Sequence, residues 1–342
     1  MASEINAVKE LLAQPRDIVI FSHRNPDGDA IGSSLGLFHY LRRVGHSVHI
    51  IVPSGYPDFL SWLPGVDQVV IFDDETQRAK QLVDRAGMFF LLDFNSFERI
   101  DKLGELVMDD KRPKVMIDHH LYPEPVADYM FSDPSASSTC EMVYTFISDL
   151  GHEGRIDPTI GDCLYTGIIT DTGGFKYATS PRLFQIASKL LAVGTDDYRV
   201  QDQIWNSMTE KQLRLLGHCL ANRMEVYPEF HTGLIYLTKQ DYADFDIKRG
   251  DTEGIVNYLL RMPQIMIAAF IHEQPTIVKL SLRSKGDLDV QQICKEHFRG
   301  GGHKNAAGGA SFKPLNSTIR RFVDLLPDYA EQIRTAYQEF HN

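Results

Sequence analysis

Short apolar runs alternate with amphipathic stretches through the first half of this chain. Residues 18–21 form a β-branched run, and residues 29–44 follow a helical period that stops at Gly45. Residues 48–52, 69–72, 88–92 and 115–117 are further strand-like runs. Residues 138–150, 159–170 and 183–193 have helical spacing, the first with serine caps in front and Gly151 behind. Strand alternating with helix predicts a mainly parallel sheet covered by helices.

Past residue 200 the pattern changes. Residues 210–224 read as a helix, followed by strands at 233–237, 265–272 and 277–282 with helices between them. Residues 290–298 form a helix ending in glycines, and 317–326 and 329–340 read as two helices separated by Pro327. The expected organisation is a catalytic α/β domain over 1–190, a helical linker over 191–230 and a smaller α/β domain over 231–342. A chain of 342 residues exceeds one comfortable core, which agrees with two domains.

Composition narrows the class. The chain is 43% hydrophobic and 24% charged, as globular proteins are, and its net charge of −11 disfavours binding of long double-stranded nucleic acid. A short anion held by a local basic cluster stays open. Cys140, Cys163, Cys219 and Cys294 are widely spaced and read as buried thiols of a reducing compartment. Residues 1–14 lack the apolar core of a signal peptide, and no run reaches membrane-spanning length. The expectation is a cytoplasmic protein without a membrane partner. A homodimer is compatible with apolar helix faces such as 213–220.

Acids and histidines stand at the ends of the apolar runs. His23, Asp27 and Asp29 follow the first strand, Asp93 ends residues 88–92, Asp118-His119-His120 ends 115–117, and Asp171 closes 164–170. In an open α/β sheet, ligands bind beyond the carboxyl ends of the strands, where these residues lie. Singly they have plainer explanations: an Asx turn with a helix cap by Asp29, a strand-end turn at Asp93, a helix end at Asp171. An acid and two imidazoles after one buried strand are harder to assign to packing. Together they supply carboxylate oxygens and imidazole nitrogens without thiolate, a set suited to Mn²⁺ and similar ions. Two such ions roughly 4 Å apart can share a carboxylate and a water and hydrolyse a phosphoester.

A second constellation runs from Arg299 through Gly300-Gly301-Gly302-His303-Lys304 to Gly308-Gly309. Consecutive glycines admit a phosphate close to backbone N–H groups, although a helix cap and a mobile loop would use the same residues. Arg283, ending a strand, is a candidate phosphate clamp or an exposed strand-end arginine.

In this order, these motifs resemble the DHH/DHHA1 phosphoesterase superfamily over essentially the whole chain, and within it the NrnA-like group of nano-RNases and pAp phosphatases. The length resembles that group rather than the longer RecJ-type exonucleases or the membrane-bound cyclic-dinucleotide phosphodiesterases. Family II pyrophosphatases share only the first domain. The resemblance implies His23 and Asp27 on one Mn²⁺, Asp29, His119 and Asp171 on the other, and Asp93 bridging both. It implies that Asp118 orients a ligand histidine, that His120 faces the scissile phosphate, and that Arg283, His303 and the Gly300, Gly301 and Gly302 backbone hold the substrate's end. An active-site cleft between the domains would then admit only short RNA or small nucleotides.

The expected activity is Mn²⁺-dependent hydrolysis of very short oligoribonucleotides to nucleoside 5′-monophosphates, with adenosine 3′,5′-bisphosphate (pAp) as a further substrate. The alternatives are cleavage of cyclic dinucleotides or of linear pGpG and pApA, and hydrolysis of polyphosphate. A catalytically idle nucleotide-binding module would be expected to have lost at least one acid. Phe175 and Tyr177, close to Asp171, are candidates to stack a base or to fill the core.

Overall fold

A computed structural model describes residues 2–248 and 250–341, without the side chains of Ala2 and His303. It divides into two compact units, Met1–Ser207 and Met208–Asn342.

The first unit runs α1 (Ala2–Leu11), β1 (Asp17–Phe21), α2 (Gly28–Arg43), β2 (Ser47–Val52), β3 (Val70–Ile71), α3 (Thr76–Arg85), β4 (Met88–Leu92), β5 (Lys114–Asp118) and β6 (Tyr129–Ser132). Helices α4 (Thr139–Asp149), α5 (Pro158–Asp171), α6 (Pro181–Ala192) and α7 (Asp197–Trp205) complete it. All pairings in its sheet are parallel, in the order β3-β2-β1-β4-β5-β6. Both faces are covered, which is why the strands read as near-continuous apolar runs. Ile18 and Ile20 pack on one face; Val19 and Phe21 pack on the other. The order reverses between β1 and β4, so the loops leaving these two strands diverge and open a crevice at their carboxyl ends.

Helix α2 lies close against α5 along Gly28, Gly32 and Gly36. A Cβ at Gly32 would stand 2.5 Å from the carbonyl oxygen of Cys163, and one at Gly36 equally close to Leu164. Three glycines at helical spacing thus let two backbones approach.

The second unit contains α8 (Glu210–Asn222), β7 (Met224–Tyr227), β8 (Thr232–Leu237), α9 (Lys239–Asp244), α10 (Ile255–Leu259), β9 (Ile267–Glu273) and β10 (Val278–Ser284). It ends with α11 (Val290–His297), β11 (Gly301–His303), β12 (Ala306–Ser311) and α12 (Leu315–His341). Its sheet order is β11-β12-β10-β9-β8-β7, antiparallel except for the parallel pair β8 and β9. Helices α11 and α12 cover one face, and α8 and α10 the other. Residues 317–340 form one helix, not the two expected, with Pro327 inside it. Phe322 and Leu326 before the proline, and Ile333 and Ala336 after it, are buried in the same core. That burial outweighs the roughly 3 kcal/mol a proline costs in a helix interior. Among the described residues no helix is long and apolar enough to cross a membrane.

His272 on β9 is buried and accepts a hydrogen bond at Nδ1 from the Tyr242 hydroxyl (2.5 Å). Burial, with a smaller push from the Lys279 charge, lowers its pKa from 6.5 to about 4. The unfolded chain therefore takes up a proton near pH 6.5 that the folded unit refuses until pH 4. Stability is complete above that window and falls as pH drops through it, by about 3 kcal/mol at the acid end. Denaturant titrations should show the unaltered protein losing this much more than His272→Phe between pH 7 and pH 4. A pH-independent difference between the two would count against this assignment.

Candidate active site

The loop after β1 is shaped by its own acids. Asp27 Oδ1 caps α2, accepting from the backbone N–H groups of Asp29 (3.0 Å) and Ala30 (3.1 Å). The cap is therefore Asp27 rather than Asp29, and Asp29 is released to point inward, 1% exposed. Arg24 braces the loop through ion pairs to Asp73 (2.8 Å) and Asp101.

Asp29 is held from an element that is distant in sequence. The backbone N–H groups of Thr139 and Cys140 donate to its two oxygens at 2.6 and 2.8 Å. These are the first residues of α4, whose N-cap is Ser138, so the carboxylate sits at the positive end of a helix. The Thr139 hydroxyl donates to Asp93 Oδ1 (3.0 Å). One helix start thus draws together acids from the ends of β1 and β4. Thr139 was not among the residues singled out by sequence; the signal available was the Ser137-Ser138-Thr139 run opening a helix.

Asp93 follows β4 with a left-handed backbone (φ 64°) and is 2% exposed. His23 Nε2 lies 3.3 Å from its Oδ2. His119 Nε2 lies 3.7 Å from its Oδ1 and 3.3 Å from Asp171 Oδ2. Among the described residues, three groups have one potential ligand atom per residue mutually within 4.8 Å: His23, Asp27 and Asp93; Asp29, His119 and Asp171; Asp93, His119 and His120. Asp93 links the first group to the third, and His119 links the third to the second. Asp118 lies against His120, its Oδ1 2.7 Å from Nδ1, not against His119. His119 Nδ1 instead faces the Ala136 carbonyl at 3.4 Å.

The electrostatics of this cluster ask for cations. Burial, reinforced by the Asp93 charge, pushes Asp29 up to about 7. Burial and then the charges of Asp29, Asp27 and Asp93 raise Asp171 well above the carboxylate range. Burial favours neutral His23, yet its hydrogen bond to Asp93 and the charges of Asp93 and Asp27 prevail and raise it to about 9. Burial also opposes ionisation of Asp93, but His23, His120 and His119 outweigh it and hold this carboxyl well below its ordinary range. A divalent cation reverses the penalty on the carboxylates, and the oxygen and imidazole donors suit it.

In the second unit the glycines form part of a strand pair, with Gly301, Gly302 and His303 opposite Gly308, Ala307 and Ala306. Packing accounts for several of them. A Cβ at Gly300 would enter the Gly308 backbone, one at Gly302 would lie 2.6 Å from Ala306 O, and one at Gly309 would press Phe298. Gly301 differs: a Cβ there would meet nothing within 4 Å, and its backbone does not require glycine. Arg283 pairs with Ala306, so Arg283, Ala306 and His303 occupy one register row across β10, β12 and β11. The His303 side chain lies outside the described residues. Arg283 is half-buried, and its guanidinium donates to its neighbour's carbonyl, Leu282 O (3.0 Å). Burial lowers its pKa, the strain of a desolvated cation that an anion would relieve. Phe175, placed near Asp171, stacks on Phe184 with centroids 5.2 Å apart and packs on the core.

Residues 17–168 match the N-terminal domain of the DHH family, and residues 232–332 match the DHHA1 domain. A relative from Thermus thermophilus, the bifunctional oligoribonuclease and PAP phosphatase NrnA, is 30% identical over 87% of this chain and 85% of its own. The chain belongs to the DHH family. Another relative, the cyclic-di-AMP phosphodiesterase PdeA of Listeria monocytogenes, is 28% identical over 88% of this chain, which spans 46% of that protein. The crystal structure of an exopolyphosphatase-related protein from Bacteroides fragilis superposes with a TM-score of 0.95 at 38% identity, covering 98% of each chain. Family membership thus extends over both units.

Proposed function

We propose that this DHH-family hydrolase cleaves phosphoester bonds of very short oligoribonucleotides, releasing nucleoside 5′-monophosphates, and removes phosphate from pAp. The observation that carries the reading is the set of overlapping acid and imidazole groups at the switch point of the parallel sheet. The NrnA relative, an oligoribonuclease and PAP phosphatase by name, supports the choice of substrate. A net charge of −11 favours short substrates over long polyanions.

His23, Asp27 and Asp93 would hold one divalent ion, and Asp29, His119 and Asp171 a second, with Asp93 shared; Mn²⁺ suits this mixture of donors. Ions bound there supply Lewis-acid chemistry, activating water and offsetting the charge that gathers on the phosphoryl group. Asp118 accepts from Nδ1–H of His120 and so fixes its tautomer, which assigns proton exchange with the leaving oxygen to His120 Nε2. Arg283, with His303 and the backbone of Gly300, Gly301 and Gly302, open at Gly301, binds the substrate's terminal phosphate.

Purified protein with Mn²⁺ should release mononucleotide from a 5′-labelled diribonucleotide far faster than from a long single-stranded RNA, and should dephosphorylate pAp. The PdeA relative motivates a second reading, cyclic-dinucleotide cleavage, and polyphosphate is a third substrate to include. Preferential turnover of either would displace the first reading. Arg283→Gln should raise KM for the dinucleotide by roughly ten-fold or more while kcat changes little, because the clamp acts in the ground state as well as the transition state. An unaltered KM would remove Arg283 from the substrate site.

A further inference from the structure

Directly after His120, residues 121–125 form an exposed segment. Leu121 is 61% and Tyr122 87% exposed, and Tyr122 has the left-handed φ of 58°, a conformation that costs a bulky residue energy. The segment is nonetheless anchored. Asn95, two residues beyond Asp93, donates from Nδ2 to Leu121 O (2.8 Å), and its own carbonyl accepts from Glu124 N–H (2.9 Å). Two apolar side chains are thus held outward, in a strained and pinned turn, at the edge of a site built from carboxylates and imidazoles. Their exposure rules out a role in the core. Among the described residues the Tyr122 ring makes no hydrogen bond or ring contact.

We propose that Leu121 and Tyr122 form the platform on which the nucleobase beside the scissile phosphate stacks. The inference deepens the oligoribonucleotide reading and rests on it. A nucleotide brings two kinds of surface: phosphate oxygens, which belong among cations, and a planar base with apolar faces. The acid and histidine cluster serves the first and offers nothing to the second. Other aromatic rings near the cluster are engaged. Phe175 is stacked on Phe184, while Tyr177 carries the Lys176 ammonium 4.9 Å from its centroid and lies against Gly173. The faces of Tyr122 remain open. Every base has a π-face, so a stacking platform accepts all four bases and ranks purines above pyrimidines.

The test compares the unaltered protein with Tyr122→Ala and Tyr122→Trp in Mn²⁺, using pApA and an analogue of pApA with abasic riboses. Removing the ring should raise KM for pApA by roughly 5- to 150-fold, the span of a single base–aromatic stack, with kcat nearly unchanged. Tyr122→Trp should retain the low KM, and the abasic analogue should be handled alike by all three proteins. Calorimetric binding of AMP should weaken in Tyr122→Ala by a similar factor. Because the side chain is exposed, the melting temperature should not move. An unchanged KM for pApA in Tyr122→Ala, or an equal rise on the abasic analogue, overturns the platform alone. Failure of the unaltered protein to cleave pApA removes the oligoribonucleotide reading and the platform with it.

Discussion

Asp93→Asn is expected to lower kcat on a diribonucleotide by roughly a thousand-fold or more, because this carboxylate belongs to two of the three ligand groups. Asparagine is the informative replacement. It tolerates the left-handed backbone at this position (φ 64°) and still accepts from the Thr139 hydroxyl, so the fold is left intact. What disappears is the negative charge facing His23, His119 and His120. A readout independent of turnover is available. A divalent ion that binds only the folded state raises stability by about 2.7 kcal/mol at a hundred times its Kd. Addition of Mn²⁺ should therefore raise the melting temperature of the unaltered protein and do so much less in the variant. Near-normal kcat, or an equal response to Mn²⁺, would refute the shared-ligand assignment.

Gly32→Ala should destabilise the first unit by about 1–3 kcal/mol, the ordinary cost of overpacking. Helix propensity points the other way, since alanine is favoured over glycine by roughly 1 kcal/mol. Contact decides the sign: the added methyl would stand 2.5 Å from a backbone carbonyl, that of Cys163, which cannot rotate aside. Helices α2 and α5 must then separate. Because α2 carries Asp29 and α5 ends in Asp171, their separation also spreads a ligand group, and affinity for Mn²⁺ should fall by roughly ten-fold. Gly217→Ala is the matched control, since a Cβ on that exposed position of α8 meets nothing within 4 Å. It should stabilise the protein by up to about 1 kcal/mol and leave Mn²⁺ binding alone. Equal effects of the two substitutions in chemical denaturation would refute the close-approach argument.

Much of the architecture was legible because burial on both faces of a parallel sheet produces unbroken apolar runs. The runs at 18–21 and 88–92 fall on β1 and β4. The run at 69–72 contains the two-residue β3, whereas the edge strand β6 and the largely exposed helix α3 were not legible. β6 is four residues long and takes its place from pairing with β5, and α3 buries only Ala79 and Val83, too few apolar positions to mark it. Pro327 misled for the opposite reason. A strong local breaker was overridden by burial on both sides of it, which no window around residue 327 reveals.

For the site, the sequence by itself determined which acids and histidines stand at strand and helix ends, since a charge after an apolar run has no packing reason to be there. Only the tertiary structure decided who faces whom. Asp29 meets the Thr139 and Cys140 amides across more than a hundred residues, and Asp118 takes His120 rather than His119. It also separated the glycines that pack β11 onto β12 from Gly301, whose space is open. The reason is physical. Periodicity encodes which side of an element is buried, whereas hydrogen-bond partners and close approaches are set by elements that meet only when the chain has folded.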